Sequence, residues 1–178
     1  MEALTGLRKT SQGSIKYLGE DIASSSPKNI RRKKIAHIPE DRTNTGLNTQ
    51  LSIWENLIGN SYFRRPLSTR GIFNLKKVAE HSNRLKEDFD IRAPNISLKV
   101  KSLSGGNQQK VVVARELSEE PILTIASQPT RGVDIGNIEA IHEQIVEIRD
   151  SGKAVLLIHY YVLKYFSCLL FHLSKVET

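Results

Sequence analysis

The sequence predicts an α/β protein with a mostly parallel, doubly wound sheet and a helical block inserted into it. Three observations carry that prediction. The run PILTIAS (121–127) is continuously apolar after a proline, the pattern of a strand buried on both faces. NIEAIHEQIVEIRDSG (137–152) places Ile138, Ile141, Ile145 and Ile148 on one helical stripe, with Gly152 as a stop signal. KAVLLI (153–158) then reads as a further buried strand, and strand–helix–strand order demands a parallel crossover.

The remaining elements follow in chain order. GSIKYLGEDI (13–22) holds two short β-like pieces around a glycine turn, a hairpin arm. SSSPKNIRRKK (24–34) opens a short helix, with serines to cap it, Pro27 early and basic residues after. IAHIP (35–39) is a buried strand stopped by proline at a functional loop, EDRTNTGLNTQ. From LSIWENLIGN through VAEHSNRLKEDFDIRA the spacing is helical, through Leu51, Trp54, Leu57 and Ile58 and more loosely Val78, Leu85 and Phe89. Pro66 and Gly71 punctuate it. A helix carrying Val111, Val112, Ala114 and Arg115 follows Ser104. This divides the chain into 1–50, an incomplete core with its β arm; 51–118, helical; 119–158, the rest of the core; and a tail, 159–178.

Composition narrows the function. An apolar content of 39% and a charged content of 25% over 178 residues suit one soluble domain with a real core. The net charge of +7 favours anionic partners. The run Arg31, Arg32, Lys33, Lys34 reads as a solvated helix face, so no nucleic acid is expected as a partner. A single Cys168 gives neither a disulfide nor a zinc pattern. The apolar stretch 154–173 approaches the length of a membrane span, but His159, Lys164 and His172 interrupt it, and it reads as a strand plus an apolar tail.

The chemistry concentrates in SLSGGNQQK (102–110). Ser104, Gly105 and Gly106 stand where a helix begins, and helix N-termini offer unpaired N–H groups and partial positive charge to phosphate oxygens. Taken alone, these residues read sooner as an N-cap and a turn than as a phosphate site.

Their surroundings add a resemblance. LSGGNQQKVVVARE resembles the signature motif of ABC-transporter ATPases, in the branch that imports simple sugars and nucleosides. LSIWENL resembles the opening of that family's helical subdomain, SQPTRGVDIG its Walker B end and D-loop, and AHIPEDR the Q-loop of the second nucleotide-binding half. The resemblance covers about 1–158 and implies a P-loop NTPase fold in which two domains sandwich ATP and Mg²⁺. It implies that Ser104, Gly105 and Gly106, with Asn107 and Gln108 in the same turn, meet the γ-phosphate of an ATP held by a partner domain. Glu40 would take the Q-loop position and Asp134 the D-loop position. Another nucleotide-binding domain and membrane permease subunits are the implied partners, at the cytoplasmic face of the membrane.

The pattern also departs from the family. No GxxxxGK[ST] loop occurs in the sequence, so a truncated, degenerate second domain that begins just past the P-loop is expected. The Walker B acid and the general base correspond to Ser127 and Gln128, neither a carboxylate, so catalysis by this chain alone is not expected. The segment 159–178 lacks resemblance, and Tyr160 falls at the switch position, as a shifted reading frame would produce. A non-catalytic interaction module, or a gene fragment without ATPase activity, is the alternative. Missing N-terminal strands should leave sheet edges uncovered.

Overall fold

The computed structural model describes residues 2–158, and the expectations placed on 159–178 lie outside the described residues. Three parallel strands form the centre: β3 (Ile35–Ile38), β6 (Leu123–Ser127) and β7 (Ala154–Ile158), in the order β3–β6–β7. Ile38 stands opposite Ala126, and Ser127 opposite Ile158. The parallel sheet expected from the apolar runs is therefore present. β6 is its middle strand and is buried along Thr124–Ser127. β7 differs from expectation. Ala154 and Ile158 are exposed and its centre is half-buried, because among the described residues it pairs with a strand on one side only.

The helices form as their sequences dictate. α1 (Pro27–Arg32) starts at Ser26, whose side chain accepts from the Asn29 N–H, and Pro27 sits where no N–H partner is lost. α5 (Ile135–Asp150) is capped by Asp134 and buries Ile141 and Ile145 fully, with Ile138 and Ile148 at the margins of the stripe. It ends where Gly152 takes a left-handed conformation, φ +80°. α4 (Gly105–Leu117) runs through the middle of the molecule, with Val111, Val112, Val113 and Ala114 all at 0% exposure. Its consecutive valines reach the helical block on one side and the sheet on the other. One apolar cluster accordingly runs from Ile53 and Leu57 through α4 to Ile38, Ala126, Ile141 and Ile145.

Two stretches depart from the sequence reading. Helical structure between 51 and 90 is confined to α2 (Ile53–Leu57) and α3 (Leu75–Asp88). Between them the antiparallel pair β4 (Ser68–Thr69) and β5 (Ile72–Phe73) turns at Arg70 and Gly71, which have φ of +54° and +83°. Only the glycine takes that conformation without strain. Leu51 precedes the helix and is exposed, so it does not belong to the buried stripe of Leu57 and Ile58. The loop after β3 contains a π-helical turn, Arg42–Gly46, held by the Asp41 side chain. The arm is present as β1 (Lys16–Tyr17) and β2 (Glu20–Asp21), antiparallel.

α2 is short and depends on its start. The Ser52 hydroxyl accepts from the Glu55 N–H, and the Glu55 carboxylate accepts from the Ser52 N–H at 2.8 Å. Ser52→Ala is expected to lower stability by about 0.5–2 kcal/mol, read from the urea midpoint at unchanged m-value.

Candidate functional site at the helix N-termini

The carboxyl ends of β3 and β6, and the N-termini of α4 and α5, come to one end of the molecule. In open α/β sheets this is where ligands bind. Glu40 follows β3, Ser127 closes β6 and Gln128 comes next, while Ser104 and Asp134 cap α4 and α5.

Ser104 caps its helix with the hydroxyl oxygen as acceptor, from the Asn107 N–H at 3.4 Å and Asn107 Nδ2 at 3.0 Å. Its O–H hydrogen is left free to donate outward. The N–H groups of Gly105 and Gly106 stand in the first turn of α4, where no intrahelical acceptor exists. Asn107 and Gln108 turn inward instead. Asn107 Oδ1 accepts from the Arg92 N–H at 2.7 Å, and Gln108 Nε2 donates to the Leu103 carbonyl at 3.1 Å. Their amides brace the turn that presents the glycines.

The glycines also serve packing within the chain. A Cβ on Gly106 would stand 2.5 Å from Asn137 Nδ2 and 3.0 Å from Asp134 Oδ2, and one on Gly105 would stand 2.7 Å from Arg42 Nη2. Asp134 is thus brought against the first turn of α4. Asn137 Nδ2 donates to both its carboxylate oxygens at 2.8 Å, and that amide holds the Asp134 carboxyl below its ordinary range. Glu40 is also brought in. It pairs with Arg131, and Arg42 donates to the Arg131 carbonyl at 2.8 Å and the Gly132 carbonyl at 3.3 Å.

Arg42, Arg131 and Asn137 form a clasp that sequence reasoning did not single out. The only signal was the place of Arg42 and Arg131 inside EDR and TRG, and of Asn137 three residues past Asp134. Asp41 stiffens the base of the clasp. Hydrogen bonds from the Asn44 N–H, the Asn44 side-chain amide and the Thr43 hydroxyl hold its carboxyl at about 2.

Ser127 and Gln128 are both buried. Gln128 has φ +46°, donates its N–H to the Ile158 carbonyl at 2.8 Å, and leaves Nε2 buried without a partner among the described residues. Magnesium is held octahedrally by oxygens, from one or two carboxylates together with waters and substrate phosphates. Here the strand end offers a hydroxyl and an amide, the nearby Glu40 is ion-paired, and no group of three His, Cys, Asp or Glu side chains converges among the described residues. These residues do not fit Mg²⁺. The first turn of α4, with two free N–H groups and a free hydroxyl hydrogen, does fit a phosphate.

Comparison with known proteins places the chain in a family and confirms its fold. The family model described as ABC transporter matches residues 1–131. The chain is 42% identical over 160 residues to the nucleoside import ATP-binding protein NupA of Lactococcus lactis subsp. cremoris, covering 90% of this chain and 32% of that protein. It is likewise 42% identical to the guanosine import ATP-binding protein NupO of Bacillus subtilis, covering 90% of this chain and 31% of that protein. The chain therefore spans about a third of the length of these curated relatives. Among solved structures, the dimeric bacterial ABC transporter cassette MJ0796 superposes with a TM-score of 0.73 at 22% identity, over 90% of this chain and 68% of that one. That likeness establishes the fold.

Proposed function

Because the chain belongs to the ABC transporter ATP-binding family, we propose that it works in the ATP-binding part of an importer for nucleosides or simple sugars. Its task is to close over an ATP whose other contacts come from a partner nucleotide-binding domain. The observation that carries this reading is the first turn of α4. The Gly105 and Gly106 N–H groups and the Ser104 O–H are unspent there, at the positive end of a buried helix of 13 residues. Two relatives at 42% identity are named for nucleoside and guanosine import, and a glucose importer stands at 35%, which favours nucleosides.

In this reading ATP supplies the phosphoanhydride whose hydrolysis drives transport. Ser104, Gly105 and Gly106 donate to a terminal phosphate oxygen, and Asn107 and Gln108 hold their turn in place. Asp134 and Asn137 fix α5 against that turn. Glu40, Arg131 and Arg42 tie the loop after β3 to the loop before α5, so the two move together. Neither Ser127 nor Gln128 can take a proton from water, so the general base and the Mg²⁺ ligands are assigned to the partner's site. No helix among the described residues is long and apolar enough to cross a membrane, which suits a peripheral subunit docked on permease subunits at the cytoplasmic face.

The purified chain is expected to show negligible Mg-ATP hydrolysis alone and to co-purify, in the presence of ATP, with a P-loop-bearing cassette and a permease. Robust turnover by the isolated 178-residue chain would sink the proposal.

A further inference from the structure

We propose that a groove on the helical block, between the turn Ser61–Leu67 and α3, binds a phosphate-bearing ligand through Arg65 and Arg84 beside His81. The groove shares no residue with the site at the α4 N-terminus. Its volume of about 480 Å³ lies within the range of small-molecule sites. Arg64, Arg65, Lys77, His81 and Arg84 line it against two acids, Glu80 and Glu119.

Both acids are already committed. Glu80 pairs with Lys77 at 2.7 Å, and Glu119 pairs with Arg64. Arg65 and Arg84 have no carboxylate among the described residues. The polar contact of Arg84 is with His81, Nη2 to Nδ1 at 3.5 Å. A guanidinium has no lone pair to offer, so Nδ1 is the acceptor, and the neutral imidazole carries its proton on Nε2. That Nε2 is buried without an acceptor among the described residues. Burial, and then the Arg84 charge, hold the His81 imidazole below its ordinary range.

The site thus sets a permanent cation against a group that would gain a second positive charge. Arg84 is exposed to water, and its hydrogen-bond contact among the described residues is the long one to a neutral ring. An anion that accepts from Arg84 would satisfy the guanidinium and let His81 take up a proton. Two uncommitted guanidiniums and a titratable imidazole match the doubly charged, many-oxygened phosphate monoester better than a single carboxylate. Soluble phosphate esters and lipid headgroups both offer this chemistry. Tyr62 and Phe63, exposed beside Arg64, keep the second source open.

The experiment follows the His81 ring-proton resonance of the full chain through a pH titration, with and without inorganic phosphate; His81→Gln assigns the signal. Bound phosphate is expected to move the His81 midpoint to higher pH. By calorimetry, Arg65→Gln and Arg84→Gln are each expected to weaken phosphate binding about tenfold. Arg32→Gln, on the exposed basic face of α1, should leave it unchanged. A second arm replaces phosphate with phosphatidylcholine vesicles, with and without phosphatidic acid. A response to soluble phosphate assigns the free ester, and one confined to phosphatidic acid vesicles assigns a headgroup. An unmoved His81 titration in both arms overturns the site, as does a loss in Arg32→Gln equal to that in Arg84→Gln.

Discussion

Glu116→Ala is expected to destabilise the chain by about 3–5 kcal/mol, the usual cost of removing one partner from a buried ion pair. The Glu116 side chain is fully buried near the end of α4, yet it is charged and saturated. It accepts from Arg31 at 2.8 Å, Arg115 at 2.9 Å, Asn60 at 3.1 Å and the His37 backbone N–H at 3.3 Å. These donors belong to α1, α4, the turn after α2, and β3, so one carboxylate joins the arm side, the helical block and the sheet. Burial by itself would raise the Glu116 carboxyl. Arg115 and Arg31, helped by Asn60, outweigh it and hold the group below the ordinary glutamate value. Alanine removes that acceptor and leaves Arg115, 11% exposed, without a counter-charge. Arg31, at 39%, can turn to water.

The pH dependence has a definite sign. Because the folded pKa is depressed, the folded state binds fewer protons than the unfolded state at acid pH. The Glu116 contribution is therefore present above the unfolded value of about 4.3 and lost as pH falls through the folded value. The difference in urea midpoint between the wild type and Glu116→Gln should shrink over that window. An equal difference from neutral to acid pH would mean that Glu116 is not ionised in the fold. The double variant Glu116→Leu/Arg115→Met should recover part of the Glu116→Leu loss, because it removes the stranded cation as well as its partner.

The sheet and its crossover helix were legible because they rest on periodicity, and burial of Thr124–Ser127 within PILTIAS, though not of its exposed Ile122, and of the Ile141 and Ile145 stripe needs no knowledge of partners. The first turn of α4 was legible as a serine cap followed by a glycine turn, and only the resemblance of LSGGNQQKVVVARE and the motifs around it suggested a phosphate there. Glu116 was not. A glutamate within VVVAREL reads as a solvent-facing break in an apolar run, and its four donor residues include ones as far away in sequence as Arg31. Arg42 was illegible for the same reason, since its acceptors are the carbonyls of residues 131 and 132. The turn at Arg70 and Gly71 was half legible. Gly71 marked a break, but a helical reading of the flanking apolar residues hid a hairpin. Patterns local in sequence survive reading without a structure; pairings of single polar residues across the fold do not.

Gly106→Val is expected to lower ATP hydrolysis by the assembled importer about 100-fold, far more than the loss of about 1–3 kcal/mol in stability that overpacking this site brings would explain. Gly106 has an ordinary helical backbone, and a larger residue costs the helix little in propensity, so the effect must come from what the new side chain meets. It meets Asn137 at 2.5 Å, and Asn137 cannot swing away freely because both Asp134 oxygens hold its amide. Either α5 retreats or the first turn of α4 tilts. A tilt would move the Gly105 and Gly106 N–H groups off the phosphate we propose they bind, and oriented donors lose their effect over about 1 Å. Gly105→Ala is the milder companion, since its Cβ meets the tip of a long arginine side chain at 2.7 Å and the Gly132 carbonyl oxygen only at 3.2 Å. Asn137→Ala removes the obstructing amide and should restore a large part of the activity lost in Gly106→Val, an outcome that general unfolding would not produce. Wild-type hydrolysis in Gly106→Val would place the phosphate away from α4. Loss without rescue by Asn137→Ala would show that the added bulk blocks the ligand itself and not the packing beneath it.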